Sequence, residues 1–127
     1  MRVFKNKPFL RFAKKAGIKN STLCKAILNA ERGLIDADLG GGLIKQRVAR
    51  DGEGKSGGFR TIIIFKSGTM AFFVHGFAKN ERDNIDVDDL AMLKRLASEM
   101  LSYTDEALRQ AVNKGILVEV FCDEEVS

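Results

Sequence analysis

The stretch LIKQRVARDGEGKSGGFRTIIIFKSGTMAFFVHGF (residues 43–77) decides the fold. It contains three short runs rich in β-branched and aromatic residues, at positions 43–50, 59–65 and 70–77. Glycine-containing segments separate these runs, and successive strands with short connections are typical of an antiparallel meander. The stretch therefore predicts three antiparallel strands, and residues 36–42 offer a further strand at the edge.

Helical patterns flank the strands on both sides. Pro8 suits the first turn of a helix that Gly17 ends, and Ser21 is a candidate cap for a second helix. Apolar residues at helical spacing predict two more helices within residues 87–115, and ILVEV (116–120) offers a final strand or a packed tail. The helices are expected at Lys7–Ala16, after Ser21, at Val87–Leu101 and at Asp105–Lys114.

This order of elements predicts an α+β domain. Its helices are expected to pack on one face of a mostly antiparallel sheet of three to five strands. A chain of 127 residues is long enough for one modest core, so we expect a single domain over residues 1–127 that includes the helices at 87–115.

The composition is that of a soluble protein, with 45% hydrophobic and 30% charged residues. Apolar runs are too short for a membrane span, and the N-terminal stretch has no apolar segment typical of a secretory signal. We therefore expect a cytoplasmic protein without a membrane partner. Cys24 and Cys122 are far apart in the sequence, and in a reducing compartment they are expected to remain thiols.

Charge is distributed unevenly along the chain. Residues 1–82 carry 17 Lys/Arg against 6 Asp/Glu, whereas residues 83–127 carry 4 against 11. A basic body is therefore joined to an acidic C-terminal third. Lysine and arginine concentrated in one region are the electrostatic signature of a nucleic-acid-binding surface, so a polyanionic partner is favoured.

Gly54-Lys55-Ser56 matches the end of a nucleotide-binding P-loop, but its context does not. A P-loop requires another glycine at position 49, where the chain has Ala49, and a helix after the motif. Two further glycines and a strand pattern follow instead. The motif is better explained as a glycine-rich hairpin that brings Lys55 close to one face of the sheet.

Five basic residues are candidates for a common patch. Lys45 and Arg47 are two residues apart and point to one face of their strand, and Arg60 begins the next apolar run. Hairpin topology can gather them at one end of the sheet together with Lys55 and Lys79. Arginine suits the stabilisation of phosphate, and a lysine among like charges has a lowered pKa suited to proton transfer. We therefore take RNA cleavage by 2′-OH attack as a hypothesis.

His75 is the only histidine, so a mechanism with paired histidines is excluded. A packed strand histidine, sharing a face with Phe73 and Phe77, is the favoured interpretation. His, Asp and Glu residues show no spacing typical of metal ligands, and neither a metal nor another cofactor is expected.

The central motifs resemble those of RelE/HigB-type toxins of bacterial type II toxin–antitoxin modules. The resemblance lies in the patterns K-x-R-x-A-R, G-x-G-K-S-G-G-[FY]-R and F-A-K-N-E-R, and it spans roughly Val3 to Val120. It implies a small α+β fold and a ribosome-dependent mRNA endonuclease, or mRNA interferase, that needs no metal. It also implies a cognate antitoxin, often with a helix-turn-helix, through which alone the complex contacts operator DNA.

The resemblance also implies which residues act. Arg60, Lys79, Lys55 and Arg47 stand at the basic positions of the motifs and are expected to be catalytic. Arg60 is assigned to phosphate, Lys55 and Lys79 to proton transfer or electrostatics, and Arg47 to substrate. The expected RNA contacts are Lys45, Arg50, Ser56 and Arg82.

Two alternatives remain open at this point. The related ParE toxins share the fold but inhibit DNA gyrase without cutting nucleic acid, so fold alone does not decide function. An inactive RNA-binding relative would show binding that depends steeply on salt, without cleavage products.

Overall fold

A computed structural model describes residues 1–50, 54–79 and 85–122, with the backbone alone for residues 50 and 54–57. Six strands and four helices are formed within this part of the chain. In chain order they are β1 (Arg2–Asn6), α1 (Lys7–Ala16), α2 (Asn20–Glu31), β2 (Ala37–Gly40), β3 (Leu43–Arg50), β4 (Gly54–Lys66), β5 (Met70–Ala78), α3 (Val87–Met100), α4 (Asp105–Asn113) and β6 (Leu117–Val120).

The six strands form one sheet in the order β2-β3-β4-β5-β1-β6. Strands β2 to β5 are the antiparallel meander that the sequence predicts, including the edge strand within residues 36–42. Strand β1 was not expected. It pairs parallel with β5 and antiparallel with β6, which raises the strand number above the predicted three to five. The α+β class is confirmed.

Helices cover both faces of the sheet, so the prediction of one covered face is wrong. Adjacent residues of β1 show this most simply, because Val3 packs in the core formed by α1 and α2 and Phe4 in the core formed by α3 and α4. Neighbouring residues of β4 divide in the same way, with Ile63 in the first core and Ile62 in the second. Continuous apolar runs such as residues 62–65 are typical of strands buried on both faces.

Local signals explain where most helices begin. Asn6 caps α1 by accepting a hydrogen bond from the Phe9 N–H, and Gly17 ends it at a φ of 72°. Asp86 caps α3 and Thr104 caps α4 through their side-chain oxygens. Ser21, in contrast, lies inside α2, which begins one residue earlier without a side-chain cap.

A β-bulge in β5 changes which residues share a face. Ile62 is opposite His75 and Ile63 is opposite Phe73, so Val74 is an extra residue between the two pairs. Phe73 therefore packs in the α1/α2 core, whereas Phe77 packs in the α3/α4 core. The expectation that these two rings share a face with the histidine is wrong, because the bulge shifts the alternation by one residue.

Cys24 of α2 and Cys122, just after β6, form a disulfide with a Cα–Cα distance of 5.6 Å. The expectation of two separate thiols is therefore wrong. Their distance in the sequence is no guide to their distance in space, because β6 returns the chain to the sheet edge beside β1. Within the described ranges, no helix is long and apolar enough to cross a membrane.

Candidate functional site

Three basic side chains converge on one carboxylate at the β2–β3–β4 side of the sheet. Asp36 lies just before β2, and its Oδ1 accepts a hydrogen bond of 3.1 Å from Nε of Arg47. Its Oδ2 is 3.5 Å from Nζ of Lys45 and 3.4 Å from Nε of Arg60. We call these four residues the Asp36 cluster.

Strand pairing explains why the cations meet. Lys45 and Arg47 lie on the same face of β3 because side chains alternate along a strand. Arg47 and Arg60 are direct partners across the β3–β4 ladder. The structure thus brings together three of the predicted residues, and it adds one acidic residue that the sequence interpretation did not select.

Asp36 is held in place by backbone contacts as well as by its carboxylate. Its N–H donates to the Lys45 carbonyl at 3.0 Å. On the other face of β3, the buried Gln46 side chain donates from Nε2 to the carbonyls of Leu34 at 2.9 Å and Ala26 at 3.0 Å. The connection between α2 and β2 is thereby fixed to β3 on both sides.

The two arginines differ in exposure. The Arg47 side chain is 47% exposed, whereas that of Arg60 is only 5% exposed. Nη1 of Arg60 is buried and has no hydrogen-bond partner among the described residues. A buried guanidinium donor without a partner is costly, which makes this atom a candidate contact for an anion.

The charge of the cluster points to the same kind of ligand. Three cations and one carboxylate leave a formal charge of +2. Part of this charge lies away from water, where it is screened less than at the surface. An open cleft of about 300 Å³ borders the cluster, and its walls are Asn29, Leu34, Ile35, Asp36, Gln46 and Arg47.

Lys79 lies at the same end of the sheet, directly after β5, and it is exposed. Its N–H is 3.5 Å from the carbonyl of Gly58, two residues before Arg60 in β4. Among the described residues its side chain makes no ion pair with the Asp36 cluster. Lys79 therefore stands near the cluster but is not part of it.

The other predicted site residues lie outside what the structure describes. Only the backbone is described for Arg50 at the end of β3 and for Lys55 and Ser56 at the start of β4. Arg82 lies outside the described ranges altogether. The Gly-Lys-Ser motif is nevertheless inside a strand and not before a helix, which agrees with the rejection of a P-loop.

His75 is half buried, and its ring centroid is 6.0 Å from that of Phe77. This supports the interpretation of a packed strand histidine. A second open cleft of about 490 Å³ lies between α4 and the β1–β6 edge of the sheet, and it is lined by none of the predicted residues.

Asp36 is the residue that sequence reasoning missed. Only six acidic residues occur in the first 82 positions, and this one directly precedes the edge strand that pairs with the Lys45 strand. A carboxylate beside this edge strand, in an otherwise basic part of the chain, was the available signal. Its connection to Arg60, two strands away, depends on the tertiary structure.

A comparison with known families gives one match. Residues 1–120 match the family described as "RelE toxin of RelE / RelB toxin-antitoxin system". Among curated proteins, no match to this chain was found.

Proposed function

The chain belongs to the family of RelE toxins of toxin–antitoxin systems, and from this premise we propose that it is a ribosome-dependent endoribonuclease that cleaves mRNA and inhibits translation. The observation that carries the proposal is the Asp36 cluster. Its net positive charge and the unpartnered Nη1 of Arg60 suit a phosphate of an RNA backbone.

The proposed reaction is an attack of a ribose 2′-OH on the adjacent 3′-phosphate. A base takes the 2′ proton, the O2′–P bond forms, the P–O5′ bond breaks, and an acid protonates the leaving O5′. The products are a 2′,3′-cyclic phosphate and a 5′-hydroxyl. This chemistry requires orientation, proton transfer and stabilisation of negative charge, and it needs no metal.

The roles follow from the exposure of each side chain. Arg47 is half exposed beside the cleft and would contact the substrate phosphate directly. Arg60 is buried, so its charge is weakly screened and can stabilise the pentavalent phosphate. Lys45 adds positive charge on the same face of β3 as an RNA contact.

Proton transfer is proposed for Lys79 and Lys55. Lys79 is exposed at the same end of the sheet as the cluster. Lys55 belongs to the start of β4, in the hairpin next to it. Arg50, Ser56 and Arg82 are proposed as further contacts to the RNA backbone.

Family membership implies an antitoxin as partner. We propose that this antitoxin carries a helix-turn-helix and that operator DNA is contacted only through it. The other partners in the proposal are the ribosome and its mRNA, which place the activity in the cytoplasm.

A translation extract with a defined mRNA tests the activity. The wild-type chain should produce cuts with cyclic phosphate and 5′-hydroxyl ends. The variants Arg47→Gln and Lys79→Met should remain folded and cut at least about tenfold more slowly. Lys66→Met is the matched control, because this exposed lysine lies at the opposite end of β4.

The same experiment separates the alternatives. Intact mRNA together with loss of gyrase supercoiling would contradict the proposal and favour a ParE-like inhibitor. Intact mRNA with salt-dependent RNA binding would contradict it in favour of an inactive relative. Full cleavage by both Arg47→Gln and Lys79→Met would contradict the assignment of the site.

A further inference from the structure

We infer that Asp36 is a positioning residue of this site, which holds the guanidinium groups of Arg47 and Arg60 by their Nε ends. The inference rests on the proposed nuclease function. It assigns no contact with RNA to Asp36 itself, and it explains how two adjacent arginines keep a fixed geometry towards one phosphate.

The carboxylate of Asp36 contacts both arginines at their Nε atoms. Oδ1 of Asp36 accepts from Nε of Arg47, and Oδ2 lies nearest to Nε of Arg60. An arginine has five N–H donors, of which four are on the terminal nitrogens. A carboxylate at Nε therefore orients the planar group and leaves the terminal nitrogens for another anion.

Arg60 keeps an unpartnered donor although it is buried. Its Nη1 has no hydrogen-bond partner in the described part of the chain, although the residue is only 4% exposed. The carboxylate of Asp36 thus contacts the Nε end of the buried group, while Nη1 has no partner in the described part of the chain. This asymmetry is expected of a group arranged to bind a ligand and not of a closed structural ion pair.

Asp36 is itself held firmly in place. Its own N–H is bonded to the Lys45 carbonyl, and Gln46 fixes the preceding connection through Leu34. The carboxylate is 15% exposed. A positioning residue must itself be held firmly, and these contacts hold it from both faces of β3.

The negative charge of Asp36 distinguishes a role in positioning the arginines from a role in binding RNA. Replacing Asp36 by Asn removes a negative charge from the cluster, so its formal charge rises from +2 to +3. RNA affinity should then increase and depend more steeply on salt. Catalysis should fall, because the arginines lose the group that orients them.

The test therefore compares Asp36→Asn with the wild type in two assays. Binding is measured with a 2′-O-methyl RNA oligonucleotide, in which the attacking hydroxyl is blocked. Cleavage is measured at saturating programmed ribosomes. We expect tighter binding together with a cleavage rate lowered about tenfold or more. Asp36→Glu, which keeps the charge, should recover part of the rate.

Asp38→Asn is the matched control. Asp38 lies two residues further along, is exposed, and accepts a hydrogen bond from the Gly40 N–H, which an Asn oxygen can also accept. The Asp38→Asn substitution changes the net charge by the same amount and leaves the Asp36 cluster intact. Its binding should tighten slightly and its cleavage rate should stay at the wild-type value.

A readout without activity completes the test. In ¹⁵N-resolved NMR spectra, the Nε–H signals of Arg47 and Arg60 should shift or broaden in Asp36→Asn and remain in Asp38→Asn. Unchanged signals would overturn the role of Asp36, whatever the activity. Binding and cleavage that fall in proportion would also overturn it, because they indicate a purely structural role. A wild-type chain that does not cut RNA would instead overturn the proposed function.

Discussion

Arg47 and Arg60 face each other as direct partners across two antiparallel strands. Like charges at such positions destabilise a sheet. Here the carboxylate of Asp36 contacts both guanidinium groups and offsets part of the repulsion. The pair is therefore a local cost to the fold, which a binding function explains better than a stabilising one.

We expect Arg60→Met to remove activity without loss of stability. The variant removes a buried guanidinium with an unpartnered donor, and Asp36 keeps its contacts with Lys45 and Arg47. The free energy of unfolding should stay within about 1 kcal/mol of the wild type or rise above it. Urea unfolding measures this, and a loss above about 2 kcal/mol would show that Arg60 has a structural role.

The close approach of α1 to β5 predicts a steric effect at Gly76. A Cβ at this position would overlap the ring of Phe12. Gly76→Ala should therefore lower the free energy of unfolding by about 1–3 kcal/mol. In the background of Phe12→Leu the same change should cost clearly less, since the smaller side chain can move aside. Equal costs in the two backgrounds would contradict this packing.

Removal of the disulfide should weaken the fold. The bond between Cys24 and Cys122 closes a loop with a sequence separation of 98 residues. Loss of such a constraint on the unfolded chain typically costs about 2–5 kcal/mol. Cys122→Ser should lose this amount in urea unfolding, and a reductant should lower the wild type to the same level. Wild-type stability that does not respond to reductant would be the contrary result.

Because Lys5 is buried, we predict that the free energy of unfolding depends on its protonation and therefore on pH. Lys5 is 8% exposed, its Nζ donates to Oδ1 of Asn20, and burial lowers the pKa of its ammonium below the ordinary value. Between the folded and the unfolded pKa, the unfolded chain binds more protons, so Lys5 adds stability as the pH rises. Lys5→Met should therefore be more stable than the wild type at neutral pH, by a margin that shrinks in the alkaline range.

The control for this measurement is Lys66→Met, which replaces an exposed lysine at a strand end. The margin of Lys5→Met over the wild type is compared with that of this variant at each pH. Tyr103 titrates in the same range, because desolvation and, to a smaller extent, Glu99 raise its pKa. Tyr103 is present in the wild type, in Lys5→Met and in Lys66→Met, so its contribution to the pH dependence cancels in the differences between them. A constant margin for Lys5→Met would contradict the prediction.

The parts of the site that follow from local periodicity were predictable. The alternation along β3 and the glycine-rich hairpin place Lys45, Arg47 and Arg60 on one face, as the sequence suggests. Asp36 was not predictable in this way. Its position depends on how Gln46 of β3 holds the connection after α2. Gln46 does so by donating hydrogen bonds to the carbonyls of Ala26 and Leu34, which are 20 and 12 residues away in the sequence.

The features of the fold that the sequence did not predict also depend on contacts between distant segments. Strand β1 has only five residues, and no turn joins it to either of its partners. The bulge at Val74 cannot be recognised within a run of apolar residues, yet it decides which side chains lie on the same face of the sheet as His75. Pairing between segments that are distant in sequence is set by the packing of both cores, which local patterns do not record.

The position of β1 has a consequence for the order of synthesis. It is translated before the other described strands, but its neighbours in the sheet are β5 and β6, and β6 (Leu117–Val120) is the last of these strands in chain order. The sheet therefore remains incomplete until the segment that follows α4 has been translated. A protein proposed to attack translating ribosomes thus completes its sheet only after all four described helices have been made.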